Sequence, residues 1–299
     1  MGDLELIGGS RTKPEDITAR VVASYEGCED ERLREVMQSL VRHLHAFATE
    51  VKLTEAEWAA GVRFLTETGQ ITDEHRQEFI LWSDSLGLSM LVDALANPKP
   101  AGATESTVLG PFWAAGSPLR EYGESIVEQS AGTPAWVYGR VLDLDSRPIA
   151  GAELDVWQNG DNLLYSVQDS EAPEAHLRGR FRTRDDGSYA FLGVRPVSYP
   201  IPDDGPVGRM LEATGRHPWR PAHLHMIVSA PGYEKLTTHI FDSESAYLDS
   251  DAVFAVKPSL VRRFVPRSAD DPDRPDGVTG EWCSAENDLV LVPAGAAAG

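Results

Sequence analysis

The first third of the chain has the hydrophobic spacing of helices. From Pro14 to about Ala96, apolar residues recur at intervals of three and four, and in residues 31–51 they form a single stripe. The members of this stripe are Leu33, Val36, Met37, Leu40, Leu44, Phe47, Ala48 and Val51. Because a helix of this kind must bury its stripe, the pattern predicts a packed helical region rather than isolated helices.

Local signals predict where two further helices begin and end. Thr54 and Glu57 have the spacing of a capping box and predict the start of a third helix, which Gly69 is expected to end. Thr72, followed by two acidic residues, is expected to cap a fourth helix.

The helical spacing stops at the Pro- and Gly-rich residues 97–103, and alternating apolar and polar positions follow. Alternation of this kind predicts strands at residues 136–145, 152–157, 179–183, 189–192, 222–229, 236–241 and 288–292. Turn residues join the first two of these strands, and Asp186-Gly187 joins the next two as a hairpin signal.

These elements predict an α+β protein. We expect an N-terminal helical region at residues 1–105, a β-sandwich domain at residues 106–293 and a disordered tail at residues 294–299.

Two histidines lie two positions apart on a predicted strand. Residues two apart on a strand point to the same face, so His223 and His225 would present their imidazoles side by side. Two imidazoles on one face are a common start for a metal site. His43 and His45 have the same spacing, but the predicted helix places them on different faces, and we interpret them as ordinary surface or packing residues.

Composition narrows the set of partners. Lys and Arg number 27 against 47 Asp and Glu, and the resulting net charge of -20 argues against nucleic acid or an anionic membrane as a partner. No apolar run reaches membrane-spanning length, and the first residues lack the pattern of a signal peptide. Cys28 and Cys283 do not suggest a disulfide framework. We therefore expect a cytoplasmic protein that does not insert into membranes.

Two tyrosines are candidate partners for the histidines. Tyr165 follows the strand that ends near Trp157, and Tyr199 lies in the proline-rich loop 197–206. Since a phenol has an ordinary pKa of about 10, a tyrosinate at neutral pH needs a strong local cation such as Fe(III).

With these residues in place, the chain resembles the intradiol ring-cleavage dioxygenases, non-haem Fe(III) enzymes that open catechols between their two hydroxyl groups. The matching segments are residues 109–112, the segment around Tyr165, residues 179–183, 186–189, 199–202 and 220–225. Together they cover nearly all of residues 107–254 in the order and spacing of the family.

The resemblance implies one Fe(III) per subunit. It assigns as metal ligands Tyr165, Tyr199, His223 and His225. Tyr199 would be displaced when substrate binds and would accept a substrate proton, and Arg220 would stabilise negative charge on the substrate ring. His239 stands where the family commonly has glutamine, so it is open whether it hydrogen-bonds, tunes the iron or offers a third imidazole. The resemblance also implies a homodimer formed through the N-terminal helices and allows a lipid bound between them.

A finer match is to the hydroxyquinol 1,2-dioxygenase branch of the family. On that resemblance the substrate pocket is lined by Leu81, Asp84, Val108, Leu109, Gly110, Pro111, Phe112, Ile201, Pro202, Arg220, His239 and Val253. Asp84 would accept a hydrogen bond from the third hydroxyl of hydroxyquinol, and leaving it unpaired would penalise catechol by about 1–3 kcal/mol. Leu109 replaces the aromatic residue expected in that branch. The implied reaction consumes a small aromatic diol or triol and O2 and yields a maleylacetate- or hydroxymuconate-type diacid.

Other interpretations compete with this one. The substrate could instead be catechol or a chlorocatechol. More remotely, His223, His225 and His239 would form a three-histidine site for Zn(II) or Fe(II), with the tyrosines as packing residues. A non-catalytic, transthyretin-like binding module is a third alternative. Taken without the resemblance, Arg220 is more typical of a surface arginine at the end of a strand, and Asp84 is as typical of a helix-surface aspartate as of a pocket residue.

Overall fold

The computed structural model describes residues 13–73, 76–129 and 132–295. The segment before Lys13, from which the absence of a signal peptide is inferred, and the predicted tail from Ala296 onward lie outside the described residues.

The predicted helical region is confirmed. The helices of the described residues are α1 Pro14–Ala23, α2 Glu31–Glu50, α3 Glu55–Ile71, α4 Glu78–Ser85, α5 Leu88–Ala96 and α6 Pro206–Ala213. The capping box forms as predicted, because the backbone N–H of Thr54 donates to the Glu57 carboxylate and the Glu57 N–H donates to Thr54 Oγ1. Two predicted boundaries are wrong. Helix α3 continues through Gly69 to Ile71, and the Thr72 hydroxyl donates back to Thr68 O of that helix instead of capping the next one.

The chain divides into two compact units, residues 1–67 and 68–299. In the first unit, α1 packs against α2. The apolar stripe of α2 remains half exposed in the single chain, with Leu40 and Leu44 53% and 57% exposed. No single described helix is long and apolar enough to cross a membrane, although α4 and α5, bent by 79° at their junction, meet that test as a pair.

The second unit contains the strands. They are β1 Pro134–Leu142, β2 Glu153–Trp157, β3 Arg178–Arg182, β4 Ser188–Val194, β5 Tyr199–Pro200, β6 Trp219–Arg220, β7 His223–Ser229, β8 Leu236–Asp242, β9 Val261–Arg262, β10 Val265–Arg267, β11 Trp282–Glu286 and β12 Leu289–Val290. One five-stranded sheet contains β10, β11, β1 and β12 in that order, with β4 also paired to β1. The other five-stranded sheet has the order β3-β2-β7-β8-β9, and β5 and β6 form a separate two-stranded ribbon.

One apolar core lies between the two five-stranded sheets, as a β-sandwich requires. Phe181 of β3 and Phe191 of β4 belong to opposite sheets, and their rings stack with centroids 5.2 Å apart. The predicted α+β fold with a β-sandwich is therefore confirmed. The hairpin predicted at Asp186-Gly187 is wrong, because this turn carries the chain from one sheet to the other.

Candidate active site

A row of three aromatic side chains crosses the sheet β3-β2-β7-β8-β9. Trp157 of β2, His225 of β7 and His239 of β8 are register partners, and the Trp157 ring stacks on His225 with centroids 4.7 Å apart. His223 lies two positions before His225 and points to the same face, as the strand period predicts. Its Nε2 atom is 3.1 Å from Nε2 of His225. Both histidines are fully buried.

The two predicted tyrosines reach this pair from outside the sheet. Tyr165 lies in the loop after β2, and its hydroxyl is 3.1 Å from His225 Nε2. Tyr199 lies opposite Arg220 in the β5-β6 ribbon, and Arg220 Nη1 donates to the Tyr199 hydroxyl over 3.2 Å. The rings of Tyr165 and Tyr199 are 5.3 Å apart. The structure therefore brings together all four predicted ligands and Arg220.

The protonation of these groups suits a metal ion. His223 Nδ1 is 2.7 Å from the carbonyl oxygen of Pro221, which can only accept, so Nδ1 carries the proton and Nε2 carries a lone pair. Burial lowers the pKa of His223 and His225 well below the ordinary value, and the charge of Arg220 contributes at both. Both rings are thus neutral, the form that binds metals.

The Tyr165 hydroxyl needs a cation to lose its proton. Burial raises its pKa well above the ordinary value, and Tyr199 adds to the rise. Two neutral imidazoles and two phenols with converging atoms are a donor set that fits a tyrosinate-binding metal ion such as Fe(III).

His239 approaches His225 from its other ring nitrogen. His239 Nε2 is 2.8 Å from His225 Nδ1. His223, His225 and His239 form a buried cluster whose candidate ligand atoms all lie within 4.8 Å of one another. However, His225 offers Nε2 to His223 and Tyr165, so a metal among those groups would leave His239 behind the ring.

Arg220 is buried rather than on the surface, with only 3% of the residue exposed. Its guanidinium forms an ion pair with Asp251, a residue that sequence reasoning did not select. The one signal that could have identified Asp251 is that a buried arginine requires an anionic partner.

Only some of the twelve predicted pocket residues line a cavity of about 410 Å³. Four of them, Leu81, Pro111, Phe112 and Pro202, line it directly. Phe112 also stacks on Tyr165 with ring centroids 4.7 Å apart, which places this wall beside the candidate metal ligands.

Asp84 is also buried, with 5% exposed, so it is not the surface residue that the alternative interpretation describes. Its Oδ1 atom has no hydrogen-bond partner among the described residues. Burial raises the pKa of Asp84, whereas Ser89 and the charge of Arg220 oppose the rise. Asp84 therefore retains an unused hydrogen-bonding position.

The remaining predicted pocket residues, including Asp84, Arg220 and His239, do not line this cavity. Gly110 has φ of +75°, and a Cβ atom added there would lie 3.3 Å from His225 Cε1, so the backbone at Gly110 passes close to His225. Ile201 and Val253 are buried, Val108 is half-buried and Leu109 is 40% exposed, and none of the four directly lines this cavity.

Arg178 supports the pocket wall and was not foreseen either. Its guanidinium donates to the carbonyl oxygens of Phe112 and Ala114 over 3.1 and 2.8 Å. Burial lowers the pKa of Arg178, and Asp155 opposes that shift. Arg178 thereby holds the loop that carries Phe112.

Comparisons with known proteins agree with this geometry. Residues 109–282 match the family model described as "Dioxygenase", and residues 30–104 match "Catechol dioxygenase N terminus". Hydroxyquinol 1,2-dioxygenase of Nocardioides simplex is 48% identical over 289 residues, which cover 95% of this chain and 97% of that protein. 6-Chlorohydroxyquinol 1,2-dioxygenase of Cupriavidus pinatubonensis is 50% identical, with coverage of 84% and 91%.

A solved structure is similar over the same extent. The crystal structure of hydroxyquinol 1,2-dioxygenase from Pseudomonas putida DLL-E4 superposes with a TM-score of 0.89 at 52% identity, and it covers 94% of this chain and 98% of that one. The family implies a metal cofactor, and the described residues include a buried histidine cluster that could hold a metal ion. The matches exclude the non-catalytic alternative. From its sequence, its fold and the arrangement of its buried tyrosines and histidines, the chain belongs to the intradiol ring-cleavage dioxygenases.

Proposed function

We propose that this protein is an Fe(III)-dependent hydroxyquinol 1,2-dioxygenase. The observation that carries the proposal is the convergence of the Tyr165 and Tyr199 hydroxyls with His223 and His225 beside Arg220. The names of the relatives support hydroxyquinol as the substrate. The alternative substrates are catechol and chlorocatechols.

Four side chains would hold one Fe(III) per subunit, namely Tyr165, Tyr199, His223 and His225. When bound, Fe(III) would supply a Lewis acid for the phenolates and the substrate hydroxyls and would make the ring reactive toward O2. Tyr199 is the better candidate for release, since it lies on a short ribbon and is hydrogen-bonded to Arg220. Its Oη atom would then accept a proton from a substrate hydroxyl.

Arg220 would balance negative charge in this buried site. Its Nη1 group lies between Tyr199 Oη and His223 Nε2, 3.2 Å from each, so it is adjacent to the position where a deprotonated catechol would bind. A guanidinium stays protonated throughout the accessible pH range. Phe112 would pack against the substrate ring and exclude water.

Asp84 would select for the third hydroxyl of hydroxyquinol. The support for this role is its burial and its unpartnered Oδ1 atom. Catechol has no hydroxyl for this atom, so binding catechol would leave it unpaired.

His239 would act as a hydrogen-bonding partner of His225 rather than as a third ligand. With Nε2 of His225 used for the metal, Nδ1 of His225 would carry the proton and donate a hydrogen bond to His239 Nε2. A three-histidine zinc or Fe(II) centre would leave both tyrosines without a role.

The assembly and location are also proposals. We propose a homodimer formed through the N-terminal helices, supported by the half-exposed stripe of α2. We also propose a lipid bound in that interface and a cytoplasmic location. The proposed domains are a helical region at residues 1–105 and a catalytic domain at residues 106–293.

Oxygen uptake with hydroxyquinol, catechol, chlorocatechols and protocatechuate, measured in parallel, tests the function. We expect the highest kcat/KM with hydroxyquinol. A higher value with catechol or a chlorocatechol would replace the substrate assignment, and no uptake with any of them would overturn the proposed activity.

A further inference from the structure

Arg220 and Asp251 form a buried ion pair next to the candidate metal ligand Tyr199. Arg220 Nε is 3.1 Å from Asp251 Oδ1, and Nη2 is 3.4 Å from Oδ2. The two side chains are only 4% and 2% exposed. One carboxylate therefore occupies two of the three guanidinium nitrogens, and Nη1 alone is directed to Tyr199 and His223.

The position of the Asp251 carboxylate is itself fixed by the backbone. Oδ1 accepts the N–H of Val253 over 3.3 Å, and Oδ2 accepts the N–H of Ala255 over 3.0 Å. The next residue, Ala252, donates its N–H to the carbonyl oxygen of Trp219, which precedes Arg220 in β6. The segment that carries Asp251 is thus attached to the strand that carries Arg220.

Arg216 also forms a hydrogen bond with the segment that carries Asp251. Arg216 donates to the carbonyl oxygen of Ala252 over 3.0 Å and to that of Ser85, at the end of α4, over 2.6 Å. The segments that carry Asp84 and Asp251 are therefore both hydrogen-bonded to Arg216. This leaves Asp251 little freedom to follow a moving Arg220.

We propose that Asp251 is a positioning residue that directs Nη1 of Arg220 at the Tyr199 hydroxyl and at the substrate. The inference rests on the proposed function. An arginine side chain has several rotatable bonds, and without a fixed partner its guanidinium would adopt other orientations in the site. Paired on two nitrogens, it keeps one orientation while Tyr199 and the substrate exchange places.

The charge of the pair is consistent with this role. Burial alone would lower the pKa of Arg220, but Asp251 and the neighbouring phenols outweigh burial and raise it. Asp251 therefore keeps the buried guanidinium charged, and its Nη1 end faces the position where the negative charge of the substrate would lie.

Asp251→Asn tests the proposal, because asparagine keeps the size of the side chain and removes its charge. We expect kcat for hydroxyquinol to fall about 10- to 100-fold, as a displaced catalytic group would cause, with iron content unchanged and a smaller change in KM. The matched control is Asp242→Asn. Asp242 is another buried carboxylate, which accepts from Arg195 over 2.7 Å and from the N–H of Glu244. This control should lose stability but keep kcat.

A double-mutant cycle separates positioning from a general structural role. If Asp251 acts through Arg220, then Asp251→Asn in an Arg220→Gln background should change kcat by less than about two-fold. An equal loss in both backgrounds, or an Asp251→Asn enzyme with wild-type kcat, would overturn the proposal. Should Asp251→Asn not fold, Asp251→Glu retains the charge but displaces the guanidinium, and the same loss of kcat is expected.

A crystal structure of Asp251→Asn gives a readout that does not depend on turnover. We expect Nη1 of Arg220 to move out of hydrogen-bonding distance of Tyr199 Oη, and an unmoved guanidinium would contradict the inference. The wild type is assayed beside the variants with each catechol. A wild type that consumes no O2 overturns the proposed function, whereas an active wild type matched by an equally active variant overturns only the role of Asp251.

Discussion

His239 Nε2 lies 2.8 Å from His225 Nδ1, the ring nitrogen that does not face His223. Since His225 Nε2 is 3.1 Å from both His223 Nε2 and the Tyr165 hydroxyl, the two nitrogens of one imidazole serve two different sets of neighbours. A metal held on the Nε2 side leaves His239 to orient the ring. This relationship separates the tyrosine-histidine site from a three-histidine site.

Replacing His239 tests that separation. His239→Gln retains a side chain that can accept from His225, so we expect one iron per subunit and a visible band close to that of the wild type. His239→Ala should lower activity or iron affinity by about 10- to 100-fold, as the loss of a partner behind a ligand does. Metal analysis and turnover of the purified variants measure both. A His239→Gln protein that no longer retains metal would support a three-histidine centre instead.

Tyr199→Phe removes the proposed proton acceptor. We expect the variant to keep iron through the other three ligands, to shift its visible band, and to lose about 100-fold or more in kcat. Tyr189→Phe is the control, since its fully buried hydroxyl donates to the Asn287 carbonyl in the core, away from the site. It should cost about 1 kcal/mol of unfolding free energy and leave the spectrum unchanged. Unchanged turnover in Tyr199→Phe would remove Tyr199 from the mechanism.

Asp84→Asn tests substrate selection. Removing the carboxylate should lower the ratio of kcat/KM for hydroxyquinol over catechol by about ten-fold or more, because the third hydroxyl loses a charged acceptor. Asp93→Asn alters another carboxylate that is largely buried, on α5, where it pairs with Lys257, and should not change the ratio. If the ratio in Asp84→Asn equals that of the wild type, Asp84 does not read the third hydroxyl.

Gly110→Ala tests how closely the pocket loop approaches the ligand. Gly110 has φ of +75°, and the added methyl group would lie 3.3 Å from His225 Cε1. Gly102 has φ of +89°, and a methyl group added there would have no neighbouring atom within 4 Å, so Gly102→Ala has the backbone strain without the contact. Both variants should lose about 1–2 kcal/mol of stability, and only Gly110→Ala should lose activity, by about ten-fold. Equal activity in the two variants would mean that the contact with His225 has no catalytic effect.

The sequence predicted those parts of the site that follow from local periodicity or from resemblance. The spacing of His223 and His225 implies a shared strand face, and the structure places both there. Asp251 could not be found in this way. It lies in a loop, 31 positions from Arg220, and only the folded chain reveals the pair.

The strand partners of β3 and β4 could not be predicted from the local sequence either. Asp186 and Gly187 do form a turn, because the N–H of Gly187 donates to Arg184 O. A local turn signal does not specify which strands pair. In the fold, β3 and β4 lie in opposite sheets, and Phe181 and Phe191 stack between them in the core. The partner strands of β3 and β4 thus depend on packing between residues that are distant in the sequence.

Two tyrosinates and two imidazoles are proposed to hold Fe(III), and the visible spectrum of the purified protein, recorded with its metal content, distinguishes this site from a three-histidine zinc site. We predict a reddish protein with a broad visible band from tyrosinate-to-iron charge transfer, one iron per subunit, and a shift of the band when hydroxyquinol binds without O2. A colourless protein that contains zinc and is fully active would contradict the claim.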